Sequence, residues 1–235
     1  MSRTAGVLTP GFAAPVHDAQ QVFRAVLEAM ARPLQPQALK VPLAPPAPLS
    51  PEMGAVVLAL CDEQTPLWCD GDLGAAGEVE AWIRFHTGTR FVEDPGDALF
   101  HLASRPSTVP PFETLPQGTD EEPHLSATVI VDAARVEDGD EEEAEEKAEA
   151  GPAEGTAADA TVPRTATGPG IRSPLKWDGH GLPAEFLTAR AEQEASFPRG
   201  VDVLIIGRGL VQGLPRTTML TAVADAAGIA AKGDA

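Results

Sequence analysis

The sequence predicts an α/β fold, a mixed central sheet with flanking helices, on three observations. Residues 15–30 have the pattern of an amphipathic helix, strand and helix signals alternate through residues 50–103, and residues 201–214 have the form of a β-hairpin. With 235 residues the chain is long enough for one sizeable core, and a single domain over residues 1–235 is expected.

The first helix is expected to start at Asp18, which with Gln21 three residues later has the form of a capping box. Val22, Phe23, Val26, Leu27 and Met30 recur at helical spacing as one apolar stripe facing a core, and Pro33 is the stop signal. Residues 2–14 before it form a loose arm. Residues 33–51 contain seven prolines, which exclude regular helix and leave room for a short strand at residues 38–41. Ser50-Pro51 is a cap followed by proline at the first helical position, opening a helix to residue 62 with Met53, Val56, Val57 and Leu60 inward. Residues 65–69 form a buried strand, and Asp70-Gly71 is a turn. Residues 77–87 form a third helix with Val79, Trp82, Ile83 and His86 near one face and Gly88 as its stop.

Residues 91–92 and 98–103 are candidate strands about an Asp94-Pro95-Gly96 turn, and residues 125–136 are a stronger one. From Glu137 to Glu149 there are nine acidic residues and one lysine. With the Gly/Ala/Thr/Pro-rich stretch after it, residues 137–160 are expected to be an acidic, disordered or extended surface loop. Residues 161–167 resume as strand, Gly168-Pro169-Gly170 turns, and residues 183–195 are a helix with Phe186, Leu187 and Ala191 inward. Two strands, residues 201–206 and 210–214, then flank Gly207-Arg208-Gly209. Residues 222–235 form a loose Ala/Gly-rich tail.

Charge narrows the partners. The formal net charge is −18, and the acidic run accounts for −8 of it, leaving −10 elsewhere. That field repels nucleic acid and anionic membranes. A phosphate site must then be a local arginine cluster or be supplied partly by a partner. No apolar run approaches the ~20 residues of a membrane-spanning helix. The N-terminal residues lack the apolar stretch of a signal peptide, and with only two cysteines, Cys61 and Cys69, this points to the cytoplasm. The cysteines have no Cys-x-x-Cys partner, so no metal site is expected.

Gly207-x-Gly209 lacks the third glycine of a dinucleotide fingerprint, and there is no phosphate-loop, nucleophile-elbow or His-Glu-x-x-His sequence. No catalytic residue is assigned. His17, just outside the expected helix start, is either an anion-proximal residue or an ordinary boundary residue. Arg24, Arg84, His86 and Arg216 could bind a polyphosphate if the fold brought them together, or serve as surface and interface ion pairs.

His17-Asp18-Ala19-Gln20 with Phe23-Arg24, Leu27 and Ala29-Met30 resembles the opening of the PhnH family, the H subunit of the bacterial carbon-phosphorus lyase core complex. Trp82-Ile83-Arg84-Phe85-His86-Thr87, Thr167-Gly168-Pro169-Gly170-Ile171, Phe197-Pro198-Arg199-Gly200-Val201-Asp202 and Pro215-Arg216-Thr217-Thr218 follow in the family's order. The last segment adds Thr217 to the candidate substrate-binding residues. The chain departs from the family at Leu34, where glycine is usual, so a differently built turn is expected there, and in the length of the acidic insertion. The resemblance implies an architecture like the large domain of type I pyridoxal-phosphate transferases, without that cofactor. Of the four lysines, Lys40, Lys147, Lys176 and Lys232, Lys176 is read in a proline-flanked loop and none sits at the end of a rigid element to form a Schiff base.

The resemblance also implies assembly with PhnG, PhnI and PhnJ, cooperation with PhnL, and a homodimer in isolation. The implied function is organophosphonate catabolism, through formation of alpha-D-ribose 1-methylphosphonate 5-triphosphate from ATP and methylphosphonate with release of adenine. Lacking a recognisable catalytic constellation, the chain is expected to act mainly as a structural and interface subunit. The alternative is a stand-alone small-molecule transferase or lyase with an anion site at the His17 helix end.

Overall fold

A computed structural model describes residues 9–40, 42–134, 163–179 and 182–222. Along the chain these form α1 (Pro15–Ala31), β1 (Gln37–Ala38), α2 (Pro51–Leu60), β2 (Leu67–Cys69), α3 (Gly71–Ala75), α4 (Gly77–Thr87), β3 (Phe100–Ala103) and β4 (Thr128–Asp132). They continue as β5 (Arg164–Thr167), β6 (Leu175–Trp177), α5 (Ala184–Glu192), β7 (Asp202–Gly207), β8 (Leu210–Leu214) and β9 (Met219–Ala222).

Six strands make a mixed central sheet in the order β1-β8-β7-β4-β3-β2. β2, β3, β4 and β7 are parallel, and β8 and β1 add antiparallel at the other end. The central residues of β4 (129–131) and β7 (203–206) are apolar without alternation because both faces are covered. Ile130, Leu204 and Ile206 join the core under α1, α2 and α4, while Val129, Val131, Val203 and Ile205 join the core under α5. A second sheet, β6-β5-β9, lies on the α5 side, where Ala166, Trp177 and Leu220 enter the same core.

Several local signals act as expected. Ser50 caps α2, its hydroxyl accepting from the N–H of Met53, with Pro51 in the first turn. α4 spans the expected residues and ends on Gly88 at φ 74°. The hairpin loop is Arg208-Gly209, both left-handed at φ 55° and 73°, the combination whose twist matches the flanking strands.

Other expectations are corrected. α1 begins at Pro15 with Ala14 as its cap, three residues before the expected start. Asp18 reaches back to accept the N–H of Ala14 at 2.8 Å, the role of the acidic half of a capping box rather than of its cap. The single stripe of α1 is really two. Val22, Val26 and Ala29 are buried, whereas Phe23 and Leu27, rotated about 100° from Val22 and Val26, lie half exposed on the outer face. Residues 9–14 are tied down where described, the carbonyl of Thr9 accepting from Trp82 Nε1 at 2.7 Å.

Asp70 is the N-cap of α3 and not part of a free turn. Lys176 lies in strand β6 and not in a loop, and β9 extends the chain's regular structure to Ala222. The first proline-rich strand is only Gln37–Ala38. Phe91 makes one bridge to Leu67 without a strand of its own. In α5 it is Arg190 rather than Ala191 that is buried. Leu34 holds φ 63° with its side chain in the core, so the turn has the left-handed backbone a glycine adopts without cost, and leucine is kept there by burial. The insertion at 137–160, Lys147, Lys232 and the tail beyond Ala222 fall outside the described residues.

Gly213 fixes how closely α1 sits on β8. A Cβ there would lie 2.5 Å from the carbonyl oxygen of Ala29 and 2.8 Å from the nitrogen of Met30.

Candidate functional site

The segment after β8 carries the most connected of the candidate residues. Because Val203 pairs with Leu214, Asp202 and Arg216 meet at the open end of the β7–β8 hairpin. Asp202 Oδ1 accepts from the backbone N–H of Arg216 at 2.7 Å and from its Nε at 3.2 Å, Oδ2 accepts from Nη2 at 2.5 Å, and Nη1 donates to the carbonyl of Pro123 at 2.5 Å. Underneath, Arg190 is fully buried and donates through Nη2 to the carbonyl of Pro215 at 2.5 Å and that of Thr218 at 3.4 Å. Burial pulls the Arg190 guanidinium below its ordinary value, opposed by the carboxylates of Glu194 and Asp202.

Arg216 and Thr217 border a cleft of about 380 Å³ with Met30, His124, Phe197 and Pro198. Its charge is matched by Asp202 and its walls are mostly apolar. This is a surface for packing more than for holding a phosphate.

The other candidates lie elsewhere. Arg84 pairs with Glu80 at 2.5 Å, an exposed i,i+4 pair, and lies 5.6 Å over the ring of Phe91. His86 stands edge-on to Trp82, ring centroids 4.8 Å apart, with Nε2 3.2 Å from the carbonyl of Thr9. Both hold α4 to its own neighbours. α4 ends beside β2, where Leu67 N–H bonds the carbonyl of Arg90 at 2.9 Å, whereas Arg216 lies at β7. β3 and β4 intervene, a lateral span of roughly 14 Å at ordinary strand spacing.

His17 is in the first turn of α1, its Nε2 2.7 Å from Gln21 Nε2. The rise from His17 to Met30 is about 20 Å of helix, which separates it from the Arg216 cleft. Arg24 is exposed and borders a smaller cleft with Gln21, Ala38 and Lys40. The structure therefore joins Arg216 with Thr217 and leaves His17, Arg24 and the Arg84–His86 pair apart.

Sequence reasoning missed a buried polar cluster at the carboxyl ends of β2 and β3. Asp70 accepts from Leu73 N–H at 3.0 Å, Ser104 N–H at 2.7 Å, Ser104 Oγ at 2.6 Å and Thr108 Oγ1 at 2.5 Å. Burial alone would raise this carboxyl; the bonds from Ser104, Thr108 and the backbone outweigh it and hold it below the usual carboxylate value. The only signal was the Asp70-Gly71 pair, which marks a cap as well as a turn.

Among the described residues, no group of three or more His, Cys, Asp or Glu is arranged to hold a metal. Cys61 and Cys69 are free thiols, and burial pushes Cys61 up to about 12 and Cys69 upward too, far from a nucleophile's range. No helix of the described residues is long and apolar enough to cross a membrane.

Comparison with known proteins converges on one family. A model of the family described as bacterial phosphonate metabolism protein (PhnH) matches residues 10–221. The alpha-D-ribose 1-methylphosphonate 5-triphosphate synthase subunit PhnH of Rhizobium meliloti (strain 1021) is 34% identical over 220 residues, covering 94% of this chain and 98% of that protein. The match takes in α1, the Trp82–Thr87 end of α4, the Gly168–Ile171 turn and the Pro215–Thr218 segment alike, and on this extent the chain belongs to the PhnH family.

Proposed function

We propose that this chain is the H subunit of a carbon-phosphorus lyase core complex. It takes part in making alpha-D-ribose 1-methylphosphonate 5-triphosphate from ATP and methylphosphonate with release of adenine, and it acts mainly by holding an interface. In this reading it works in the cytoplasm with PhnG, PhnI, PhnJ and PhnL and pairs with itself when isolated. The lyase or transferase chemistry is completed by those partners. Its architecture resembles the large domain of type I pyridoxal-phosphate transferases without the cofactor. Lys176 lies exposed on β6, the edge of the small sheet, and Lys40 lies beside the Gly209 turn.

The observation that carries the interface role is the outer face of α1. Val16, Phe23 and Leu27 are 87%, 50% and 56% exposed, a line of large apolar groups on a helix whose opposite face is already buried. The polar candidates, meanwhile, are largely engaged within the chain: Arg216 by Asp202, Arg84 by Glu80, His86 by Trp82 and Thr9. The stand-alone transferase reading needs an anion at the first turn of α1, and there the Asp18 carboxylate accepts the Ala14 N–H.

Tagged protein purified from phosphate-starved native cells is expected to bring the G, I and J subunits in stoichiometric amounts. A Phe23→Asp/Leu27→Asp variant, which alters no buried side chain, is expected to keep its thermal midpoint and lose those partners, as anchors worth about 2 kcal/mol each would. Recovery of the wild-type chain alone, together with activity of the isolated chain, would overturn the subunit reading in favour of the stand-alone enzyme.

A further inference from the structure

We propose that the cleft between the C-terminal end of α1 and the β5–β6 loop binds the phosphate chain of an anionic ligand through Arg32 and Arg172. The inference rests on this cleft alone and not on the subunit reading.

The cleft, about 650 Å³, is lined by Arg32, Gln35, Gly170, Arg172 and Ser173 among others. Its shape is set by backbone. The loop contains Gly168-Pro169-Gly170-Ile171, one of the segments that mark the family, yet the Arg216 cleft makes no use of it. Gly170 holds φ 82°, and a Cβ there would collide with the carbonyl of Ala31 and the ring of Pro33. Only glycine lets the loop lie directly on the helix end. Between the lining residues Pro33 and Gln35, Leu34 also holds a left-handed φ, 63°, with its side chain turned into the core, so the backbone on each side of the opening includes a costly or glycine-requiring position.

The side chains supply the charge. Arg32 uses Nε on Glu28 at 3.3 Å, and among the described residues its terminal nitrogens have no partner. Arg172 is exposed, and among the described residues its guanidinium has no acidic partner. Ser173 adds a hydroxyl and Gln35 an amide. The carbonyls at the end of α1 and the Glu28 carboxylate are of the wrong sign for an anion, so one guanidinium would not suffice; two arginines line this cleft. In a chain of net charge −18 such a local pair is what a phosphate site requires. A nucleoside or sugar triphosphate and free polyphosphate share the chemistry that these groups recognise.

Calorimetric titration of the full chain at low ionic strength, with inorganic tripolyphosphate in one arm and ATP in the other, tests this. Saturable binding is expected, weakened at least about tenfold by Arg32→Ala or Arg172→Ala and partly restored by Arg172→Lys. Arg84→Ala and Arg24→Ala, outside the cleft, should leave it unchanged. Equal affinity in both arms assigns recognition to the phosphates alone, and tighter ATP binding adds a nucleoside contact within the same cleft. Absence of saturable binding in both arms overturns the proposal, as does equal weakening by Arg84→Ala, which would mark diffuse charge. Partner recovery by the Arg32→Ala/Arg172→Ala variant is read separately, so loss of this site and loss of the subunit reading are distinguishable.

Discussion

Asp70→Ala is expected to lower the unfolding free energy by roughly 1.5–3 kcal/mol, the range for losing buried hydrogen bonds to a charged group. Four donors converge on this carboxylate: two backbone N–H groups, of Leu73 and Ser104, and two hydroxyls, of Ser104 and Thr108. Removing it leaves the backbone N–H groups of Leu73 and Ser104 without their buried acceptor, while the Thr108 hydroxyl keeps the Arg105 carbonyl. It also uncaps α3 and unties the end of β2 from the end of β3. Urea denaturation measures the loss directly.

The same group governs acid stability. Its folded-state carboxyl titrates below the ordinary value, so the stability it contributes is present above the unfolded value near ~4 and is lost as pH falls through the folded one. His101 adds a second acid-sensitive contribution. Burial holds it below the ordinary histidine value against the pull of the Pro95 carbonyl, so the native state favours the neutral ring and stability declines as pH drops below ~6.5. Asp70→Asn is expected to flatten the decline below pH ~4 and leave the His101 decline in place. An unchanged acid slope would show that Asp70 is not the group being protonated.

Gly213→Ala should cost about 3 kcal/mol or more, a fall in the melting midpoint of roughly 10 °C for a chain of this size. The added methyl meets the backbone of Ala29 and Met30, not the tip of a flexible side chain, so α1 as a whole has to withdraw. With it go Val22 and Val26, which close the core over Val211 and Ile206. Differential scanning calorimetry on the pure protein checks this. An unshifted midpoint would mean that α1 does not rest on β8 as described.

How much of this was legible in the sequence depends on how local the deciding interaction is. Ser50-Pro51, Gly88 and Arg208-Gly209 act on backbone within a few residues, and the sequence places α2, the end of α4 and the β7–β8 turn accordingly. Asp70 shows the limit. Its partners Ser104 and Thr108 are distant in sequence and adjacent only because β2 and β3 are parallel neighbours. Phe23 and Leu27 show another: an apolar stripe wider than one helix face does not say which edge meets the core, and here Gly213 decides it by drawing the Ala29 side of α1 inward. The second sheet was illegible for a third reason. β6 and β9 are short, with Lys176 and the Arg216–Thr217 stretch breaking or bordering them, and they are strands only because each finds β5 beside it.

The candidate site follows the same division. That Arg216 and Thr217 share a cleft comes from their adjacency, and that Asp202 meets Arg216 follows from the hairpin register. That Arg84 and His86 stand three strands away could not be read without the strand order. Arg190, which anchors the Pro215–Thr218 segment from beneath, is not among the inward residues expected of its helix, because nothing near it in sequence marks its acceptors.

The strand order also constrains how the polypeptide is born. α1 and β1 emerge first during translation, yet both rest on β8, and β4 receives its neighbour β7 only after the whole β5–β6–α5 excursion. The nascent chain thus carries an N-terminal helix whose inner face, Val22, Val26 and Ala29, has no β8 to rest on until residues 210–214 have left the ribosome, and whose outer face the fold never covers. β2, β3 and β4 can pair as they emerge, but closing the sheet onto α1 is a late, long-range event.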